Sequence, residues 1–386
     1  MDTRKFRTRT ITMQRKNPYK KEDTWPLAMD MGYSSVKVMS RNALACFPRY
    51  AMKLAKNTID LAKPNDYDIL YKDTNTGNIY AVGQNAQEMI SIESTNDSSA
   101  VLYGRNCYFS EIFKVTSRVG LALGLMANEY GSPEGKKIKV QTGLPPKYME
   151  DDKALLREAL SGDFDFEVRI GRGEWQHFTF SLSEDDILVT QQPMGSLVSV
   201  AIDKNGRQTP DAEKLYRSKT LVFDPGFKTG DSCLIKGGRI DIEDCQTFDD
   251  LSMITVLQKT CDELLTKHGV SIPIPAIQPY LETGFVKSLN RRQMISTKVD
   301  FSEILDAKNK EVCYLAINKL CEVYNYFEEI DYLVITGGTG AAWASLIRDR
   351  LKDMETLTIL AGNRNDDLPH IFSNVRGYYM YLINHM

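Results

Sequence analysis

The chain has 386 residues, of which 42% are hydrophobic and 26% are charged, a composition typical of a globular protein with room for two domains. Its net charge of -3 argues against a protein whose whole surface binds nucleic acid, and no apolar run reaches the length of a membrane span. The seven cysteines are scattered and include no Cys-x-x-Cys pair, which favours free thiols in a reducing cytoplasm over a disulfide framework or a zinc site.

Residues 1–24 are rich in basic side chains and precede the first strong strand pattern. The basic residues are Arg4, Lys5, Arg7, Arg9, Arg15, Lys16, Lys20 and Lys21. No apolar segment of the secretory type follows them. We expect a disordered, solvated arm. The functional alternatives are a contact with DNA phosphates or an acidic partner, whose affinity would fall as salt rises, and an organelle transit peptide.

The first strand pattern contains an Asp-x-Gly turn. In Leu27–Met39, an apolar run ends at Asp30, Gly32 follows one residue later, and small polar residues lead into a second apolar run. Glycine tolerates the backbone conformation of a tight hairpin, and its missing side chain lets backbone N–H groups approach an anion. The pattern therefore predicts a β-hairpin.

The next elements alternate between helix and strand patterns. Residues 108–130 have helical spacing, and Ile138–Leu144 is a strand that runs into Thr142-Gly-Leu-Pro145, the usual position for a site residue in an α/β sheet. Residues 164–180 alternate as a hairpin, and a strand ending at Thr190 is followed by Gln191 and Gln192.

A second Asp-x-Gly turn lies in the middle of the chain. Two apolar runs flank Asp224-Pro-Gly-Phe-Lys-Thr-Gly-Asp231, which repeats the pattern around Asp30. Two such hairpins, roughly half the chain apart, favour duplicated lobes that face one nucleotide. Carboxylates would repel a phosphate directly, but Mg²⁺ can bridge carboxylate to phosphate oxygens through its waters. An ordinary hairpin with acidic turn residues is the alternative for either stretch alone.

The last third of the chain adds a third glycine-rich turn. Helical spacing is predicted for residues 247–265 and 301–327, and a strand over 331–335 leads through Gly337-Gly-Thr-Gly340 into another helix. Such a turn lets the backbone lie against a nucleoside, and the helix amino terminus favours negative charge. The chain ends in a helix that contains Asn374-Val-Arg-Gly377.

Taken in order, these motifs resemble those of the actin-like ATPase superfamily. Asp30-x-Gly and Asp224-x-Gly are similar to its two phosphate hairpins, and Gly337-Gly-Thr-Gly to its adenosine loop. Thr142-Gly-Leu-Pro and Asn374-x-x-Gly are similar to its two connecting segments. Within the superfamily, the size, the Asp-Pro-Gly-Phe turn and these two segments are most similar to the ParM/StbA-like plasmid segregation proteins of bacteria.

The resemblance implies an α/β fold of the actin-like, ribonuclease-H-like duplicated type, with the nucleotide in the cleft between two lobes. After the arm at 1–24, lobe I would span 25–215 and be completed by 366–386, and lobe II would span 216–365. It further implies a cytoplasmic bacterial filament that binds ATP or ADP with Mg²⁺. Such a filament moves plasmid DNA through a DNA-binding adaptor of the ParR type, and slow ATP hydrolysis controls its turnover. No membrane partner is implied.

The resemblance also assigns roles to residues. Asp30 and Asp224 would hold Mg²⁺ through water and, with Gln192, carry the catalysis. The residues implied to bind the nucleotide are Gly32, Tyr33, Ser34, Lys37, Gly226, Phe227, Lys228, Asp231, Gly337, Gly338 and Thr339. Two alternatives stay open: Lys37 as a solvated strand lysine, and Asp231 as a turn cap.

Gln192 departs from the segregation proteins, which resemble this chain but have a glutamate at that place, whereas actin has a glutamine. A glutamine cannot act as a general base, but it can orient an attacking water. Metal and backbone electrostatics would then supply much of the catalysis. The alternative is a polar residue that merely ends the strand. Two other functions remain open: a small-molecule kinase of the same superfamily, and an ATP-binding module that neither polymerises nor hydrolyses.

Overall fold

The computed structural model describes residues 2–55, 63–90, 105–290 and 292–385, which divide into two compact units. Of these residues, the larger unit holds 8–55, 63–89, 105–213 and 362–385. The smaller unit holds 2–7, 90 and 214–361. Each unit has its own hydrophobic core.

The larger unit is an α/β structure with two sheets. Its strands are β1 (Ile11–Gln14), β2 (Thr24–Met31), β3 (Ser35–Ser40), β4 (Ala43–Pro48), β5 (Ala51–Lys53), β6 (Ile69–Asp73), β7 (Ile79–Val82), β8 (Lys137–Leu144), β9 (Gly162–Ile170), β10 (Gln176–Leu182) and β11 (Ile187–Gln191). Its helices are α1 (Gln84–Glu88), α2 (Glu111–Leu125), α3 (Met149–Leu160), α4 (Gln192–Ala201) and the carboxyl-terminal Ser373–His385, called α10 below. Helix α5 (Ala212–Arg217) runs across the boundary between the units.

The main sheet of the larger unit has the order β1-β4-β3-β2-β8-β11. The neighbouring pairs β1–β4, β4–β3 and β3–β2 are antiparallel. The pairs β2–β8 and β8–β11 are parallel. Side chains alternate between the faces: Leu27 and Met29 enter the core that contains α2, whereas Ala28 and Met39 pack with residues of α4 and α10. The near-continuous burial of β2 follows from this cover on both faces.

The second sheet of the larger unit has the order β10-β9-β6-β7-β5. It contains the hairpin predicted for residues 164–180, with Phe166 opposite Phe178 and Phe164 opposite Phe180. The two rings of the latter pair stack with 4.8 Å between centroids. Alternation of aromatic and polar residues thus buries one face of the hairpin and leaves the other solvated.

The smaller unit repeats the main sheet. Its strands are β12 (Lys219–Pro225), β13 (Gly230–Lys236), β14 (Arg239–Phe248), β15 (Phe285–Asn290), β16 (Ile295–Asp300), β17 (Tyr332–Ile335) and β18 (Thr358–Ala361). Its helices are α6 (Met253–His268), α7 (Ile274–Ile277), α8 (Ser302–Val323) and α9 (Gly337–Arg350). The sheet order β14-β13-β12-β17-β18, an antiparallel meander joined to two parallel strands, matches β4-β3-β2-β8-β11 strand for strand.

The basic segment at the amino terminus is structured, so the prediction of a disordered arm is wrong for residues 2–24. β1 pairs with β4, and the Thr3 hydroxyl donates to the Leu281 carbonyl at 2.6 Å. Arg7 and Arg15 form ion pairs with Glu282 and Asp366. The physical reason is that Arg7 and Arg15 each meet a carboxylate of their own unit, while the backbone of 11–14 pairs at a sheet edge.

Two further expectations differ from the structure. Helix α6 begins at Met253, whereas helical spacing predicted a start at Thr247, because residues 247–248 pair with β13 as the end of β14. The expectation of free thiols is wrong for Cys233 and Cys245, which lie directly opposite in β13 and β14 and form a disulfide. Within the described ranges, no helix is both long and apolar enough to cross a membrane.

The contact between α4 and α10 depends on glycine. A Cβ atom added to Gly377 would overlap the carbonyl oxygen of Gly195, and one added to Gly195 would meet the ring of Tyr378. The Ser196 hydroxyl donates to Asn374 Oδ1 at 2.5 Å in the same contact. These glycines therefore let two helices touch through their backbones, which fixes α4 against α10.

We predict that Gly377→Ala lowers the free energy of unfolding by about 2–3 kcal/mol, because the methyl group forces the two helix backbones apart. Gly173→Ala is the matched control. Its added Cβ would meet only the Ile170 carbonyl at 3.2 Å in an exposed turn, so we expect a change within about 0.5 kcal/mol. Chemical denaturation followed by circular dichroism measures both variants, and equal stability of the two would contradict the contact.

Candidate functional site

Three parallel strands of the larger unit end at the same edge of the main sheet. β2 ends just after Asp30, β8 ends at Leu144, and Gln191 pairs with Leu144 at the end of β11. Gln192 follows as the first residue of α4 and is half-buried. The carboxyl edge of an α/β sheet is the usual position of a ligand site, and it brings Asp30 and Gln192 to one side of the sheet.

Asp30 is the buried carboxylate of this edge. It is 3% exposed, and its Oδ2 accepts from Lys37 Nζ at 3.0 Å. Asp30 and Lys37 are cross-strand partners in the hairpin, so the strand register places the two charges opposite each other. The side chain of Lys37 is only 13% exposed, which excludes a solvated strand lysine. Asp30 Oδ1 is buried without a hydrogen-bond partner, so this oxygen can accept from a bound water or a metal-bound water.

The turn after Asp30 contacts Lys37 and Arg49. A Cβ on Gly32 would meet Lys37 Nζ at 2.9 Å and the Ser35 carbonyl oxygen at 3.2 Å, so a side chain here would displace the lysine. The Arg49 backbone N–H donates to the Ser34 carbonyl at 3.0 Å, and the Arg49 guanidinium lies 5.6 Å from the Tyr33 ring centroid. Arg49 is buried and adds positive charge beneath this turn.

Two residues of β8 belong to this edge and were not assigned to the site from sequence, although Thr142 belongs to a quoted motif. Gln141 pairs with Ala28 in the sheet register and therefore projects from the same face as Asp30. The Gln141 side chain donates to the Thr142 carbonyl, but Gln141 Oε1 and the hydroxyl of Thr142 are buried without partners. The available signal was a glutamine directly after Val140 in a strand that leads into a glycine turn, because a buried amide needs partners.

In the smaller unit, the turn between β12 and β13 carries two carboxylates with different surroundings. Asp224 and Asp231 are cross-strand partners. Asp231 accepts from Thr229 Oγ1 at 2.9 Å and from Thr247 Oγ1 at 2.7 Å. One of its oxygens therefore accepts from the turn, as the turn-capping alternative expects, and the other accepts from the neighbouring strand β14.

The third glycine-rich turn lies against Asp224. Gly337, the first residue of α9, has φ of +76°, and a Cβ added there would clash with Asp224 Oδ1. The Thr339 hydroxyl donates to the Gly226 carbonyl at 2.9 Å. The amino terminus of a 14-residue helix thus meets the hairpin turn, and its free N–H groups favour an anion at this position.

The turn is also fixed by α6. The Gly226 carbonyl accepts from the Met253 N–H at 3.2 Å, and the Phe227 carbonyl accepts from the Ile254 N–H at 2.7 Å. Phe227 packs on the core of the unit, and Lys228 is half-buried. Gly338 is exposed beside the buried Thr339, so the surface of this loop is accessible to a ligand.

The structure therefore gathers the predicted residues into one group in each unit. Gly32, Tyr33, Ser34 and Lys37 surround Asp30, and the remaining nucleotide-binding predictions surround Asp224. No group of three His, Cys, Asp or Glu side chains able to hold a metal occurs in the residues that the structure describes. A cation held mainly by water and phosphate, as Mg²⁺ is in nucleotide sites, fits the unpaired oxygen of Asp30 better than a metal enclosed by protein ligands.

Comparisons with known proteins identify the fold. Residues 28–195 match the family model of the actin-like proteins' N-terminal domain, and no curated protein matches in sequence. The chain is 20% identical to a non-polymerisable quadruple mutant of the pCBH ParM, with a TM-score of 0.68 over 94% of this chain and 99% of that one. It is 19% identical to the chain of a 15-stranded ParM filament from Clostridium botulinum, with a TM-score of 0.69 over 95% and 100% of the two chains.

A more distant match is an archaeal actin homologue in complex with ADP, which is 14% identical, with a TM-score of 0.60 over 94% of this chain and 100% of that one. Together these matches confirm the predicted fold class, an α/β fold of the actin-like type, and the resemblance to the actin-like superfamily.

We predict that Gly337→Ala weakens the binding of an adenine nucleotide by about tenfold or more, because the methyl group would displace the Asp224 carboxylate. Gly269→Ala is the control, since Gly269 also has a positive φ but an added Cβ there has nothing within 4 Å. Both variants therefore carry similar backbone strain. Calorimetric titration with ATP compares them, and equal affinities would remove Gly337 from the site.

Proposed function

We propose that this actin-like chain is an ATP-dependent filament-forming protein in which slow hydrolysis of ATP to ADP and phosphate controls filament turnover. One observation carries the proposal: each of the two matching sheets has a carboxylate at the carboxyl end of its first parallel strand, followed by a tight glycine turn. Asp30 has a buried unpaired oxygen, and Asp224 lies against the first residue of α9. The similarity to a ParM filament chain and to an ADP-bound actin homologue supports it.

In this proposal, Asp30 and Asp224 act on one Mg²⁺ through its water shell. The unpaired Asp30 Oδ1 is the group that fits a metal-bound water, and Asp224 serves from the smaller unit. When bound, the metal would neutralise the phosphate charge and polarise the reacting phosphoryl group. Lys37, which pairs with Asp30 Oδ2, would place its positive charge beside the phosphate oxygens and help to stabilise them.

The two turns would supply backbone donors for the phosphates. Residues 32–34 contact Arg49, and residues 226–228 accept hydrogen bonds from the start of α6. The N–H groups of both turns are therefore fixed before the nucleotide binds. Preorganised donors cost no rearrangement during the reaction. Gly337, Gly338 and Thr339 would lie against the adenosine, where the absence of side chains at the glycines allows close approach.

Gln192 would orient the attacking water. It begins α4 at the carboxyl edge of the sheet, and the Ser196–Asn374 bond and the glycine contact with α10 fix that helix. A glutamine orients water without accepting its proton. Slow hydrolysis follows, because the main contribution to catalysis is then electrostatic stabilisation by the metal and the backbone.

At the cellular level, we propose a homopolymer in the bacterial cytoplasm that moves or segregates plasmid DNA. The DNA contact is indirect, through a DNA-binding adaptor protein of the ParR type. The net charge of -3 fits a filament that does not bind DNA over its whole surface. No membrane partner is required.

The direct test is assembly with Mg-ATP. We expect light scattering to rise after addition of Mg-ATP to purified protein and to fall as ATP is consumed, and we expect electron micrographs to show filaments. The matched control is the same sample with EDTA, where loss of the metal should prevent assembly. Bound ATP without polymer at any protein or salt concentration would instead favour the non-polymerising module, and ADP release that depends on an added sugar would favour the kinase.

Single substitutions distinguish an effect on ATP binding from an effect on ATP hydrolysis. We expect Gln192→Ala to slow phosphate release by about tenfold or more while ATP affinity stays within about twofold, so filaments should persist longer. Asp224→Ala should lose hydrolysis and also bind Mg-ATP more weakly, because it removes a metal-supporting carboxylate. Unchanged phosphate release in Gln192→Ala would show that this residue does not orient the water.

A further inference from the structure

A hairpin of the smaller unit exposes apolar side chains near its tip. β15 and β16 form a sheet of two strands only. The exposed fractions are 60% for Leu289, 85% for Met294 and 52% for Ile295. Met294 also has φ of +54°, a backbone conformation that is costly for a residue with a side chain. Three large apolar groups concentrated at one exposed tip mark a surface that another molecule covers.

A cavity in the same unit has a complementary character. It has a volume of about 290 Å³, and its lining includes the apolar or aromatic Val323, Tyr324 and Ile330. Burial raises the pKa of Tyr324 to about 12, and its hydroxyl shares a hydrogen bond with Ser232 Oγ at 2.9 Å. Tyr324 is therefore a fixed, neutral aromatic group at neutral pH, and with Leu234, Val323 and Ile330 it forms the apolar part of a mixed lining.

The rim of the cavity is acidic. Glu243, Asp244 and Glu329 line it together with Lys219, which pairs with Glu329 at 2.5 Å. Lys236, outside the lining, pairs with Asp244 at 2.7 Å. Counting the lining residues, three acidic groups and one basic group give a formal charge of -2. Glu243 is exposed, so a carboxylate is available to a cationic partner at this rim.

The hairpin carries the opposite charge. Its charged residues over 285–290 and 292–300 are Lys287, Arg292, Lys298 and Asp300, which sum to +2 from three basic groups and one acidic group. Arg292 is exposed next to the apolar tip. The basic flanks of the tip thus match the acidic rim of the cavity in charge, and Leu234, Val323, Tyr324 and Ile330 give the tip a partly apolar wall.

Hairpin and cavity lie at opposite ends of one helix. β16 ends at Asp300 and α8 begins at Ser302, whereas Val323, the last residue of α8, and Tyr324 line the cavity. The 22 residues of α8 span about 33 Å at 1.5 Å per residue. The hairpin and the cavity of one chain are therefore far apart, so a contact between these two surfaces joins two copies of the chain.

We propose that the tip of hairpin β15–β16 docks into the cavity at the far end of α8 in the next copy of this chain. The inference rests on the proposed function, because it names the partner of the filament as the chain itself and locates one contact. Two different surfaces meet, so the contact is heterologous, and each added copy leaves a free hairpin at one end and a free cavity at the other. Such a contact builds an open-ended assembly.

Photo-crosslinking tests the contact directly. Benzoylphenylalanine is placed at position 294, and the protein is mixed with ¹⁵N-labelled wild type in Mg-ATP and irradiated. We expect crosslinks between unlabelled position 294 and labelled peptides that contain residues 243–246 or 323–330. The same probe at position 155, a 39% exposed leucine of α3 in the larger unit, should not crosslink to these peptides.

Crosslinks from position 294 to other peptides, or none, would overturn the docking whether or not filaments form. Failure of the wild type to polymerise would count against the proposed function instead. In that case, crosslinks from 294 to the cavity within small oligomers would still support the docking.

Charge exchange provides a second, independent test. We expect Arg292→Glu and Glu243→Lys each to raise the critical concentration for assembly by about tenfold or more. An equimolar mixture of the two should polymerise again, because every contact then joins opposite charges. Arg172→Glu, at the exposed tip of hairpin β9–β10, is the matched control and should polymerise as wild type.

We expect Arg292→Glu and Glu243→Lys to bind ATP within about twofold of wild type. That result would show that the contact between copies is lost while the nucleotide site is intact. A mixture that fails to assemble, or single variants that assemble normally, would contradict the docking.

Discussion

The Asp30 carboxylate is a buried charge with one oxygen paired to Lys37 and the other unpaired. Burying an ion is costly unless its surroundings satisfy it, and the larger unit provides only part of that compensation. The strand register places Lys37 opposite Asp30, and Gly32 lets the turn lie close to the lysine. The backbone N–H of Arg49 donates to the Ser34 carbonyl of the same turn. A carboxylate arranged in this way is poised to accept a water or a metal-bound water, and the proposed chemistry depends on that unfilled capacity.

The smaller unit also has a carboxylate at the end of its first parallel strand, but different residues surround it. Asp224 occupies the same place in a sheet of the same strand order, and it lies against the amino terminus of α9. Asp231 and Thr229 shape the turn, and Thr339 ties α9 to it. The two matching sheets thus supply two carboxylates, one paired with a lysine and the other beside a helix amino terminus.

Much of the fold could be predicted from sequence, because glycine turns and hydrophobic periodicity are local signals. Both Asp-x-Gly hairpins, the turn at Gly337 and the closing helix lie where these patterns placed them. Long-range pairing had no such signal. The pairing of β1 with β4 structures residues predicted as disordered, and Cys233 meets Cys245 only because β13 and β14 pair in that register. Gln141 was missed for the same reason, since its face of β8 becomes significant only beside β2.

The hairpin β15–β16 leaves large apolar side chains exposed at its tip. Its apolar tip costs solubility in a monomer, and the acidic cavity at the far end of α8 gives that tip a place to be buried in a neighbour. A rigid helix between the two surfaces would transmit the position of each copy to the next. Nucleotide state and assembly could then be coupled through the smaller unit, which contains Asp224, α8 and both surfaces.

The central claim is that Asp30 and Asp224 act on the same Mg-ATP, and a double-mutant cycle tests it most directly. Asp30→Asn, Asp224→Asn and the double variant are titrated with Mg-ATP and, in EDTA, with metal-free ATP. If both carboxylates support one cation, the two losses in binding free energy should fail to add by about 1 kcal/mol or more with Mg-ATP and should add without metal. Additive losses under both conditions would contradict a shared cation.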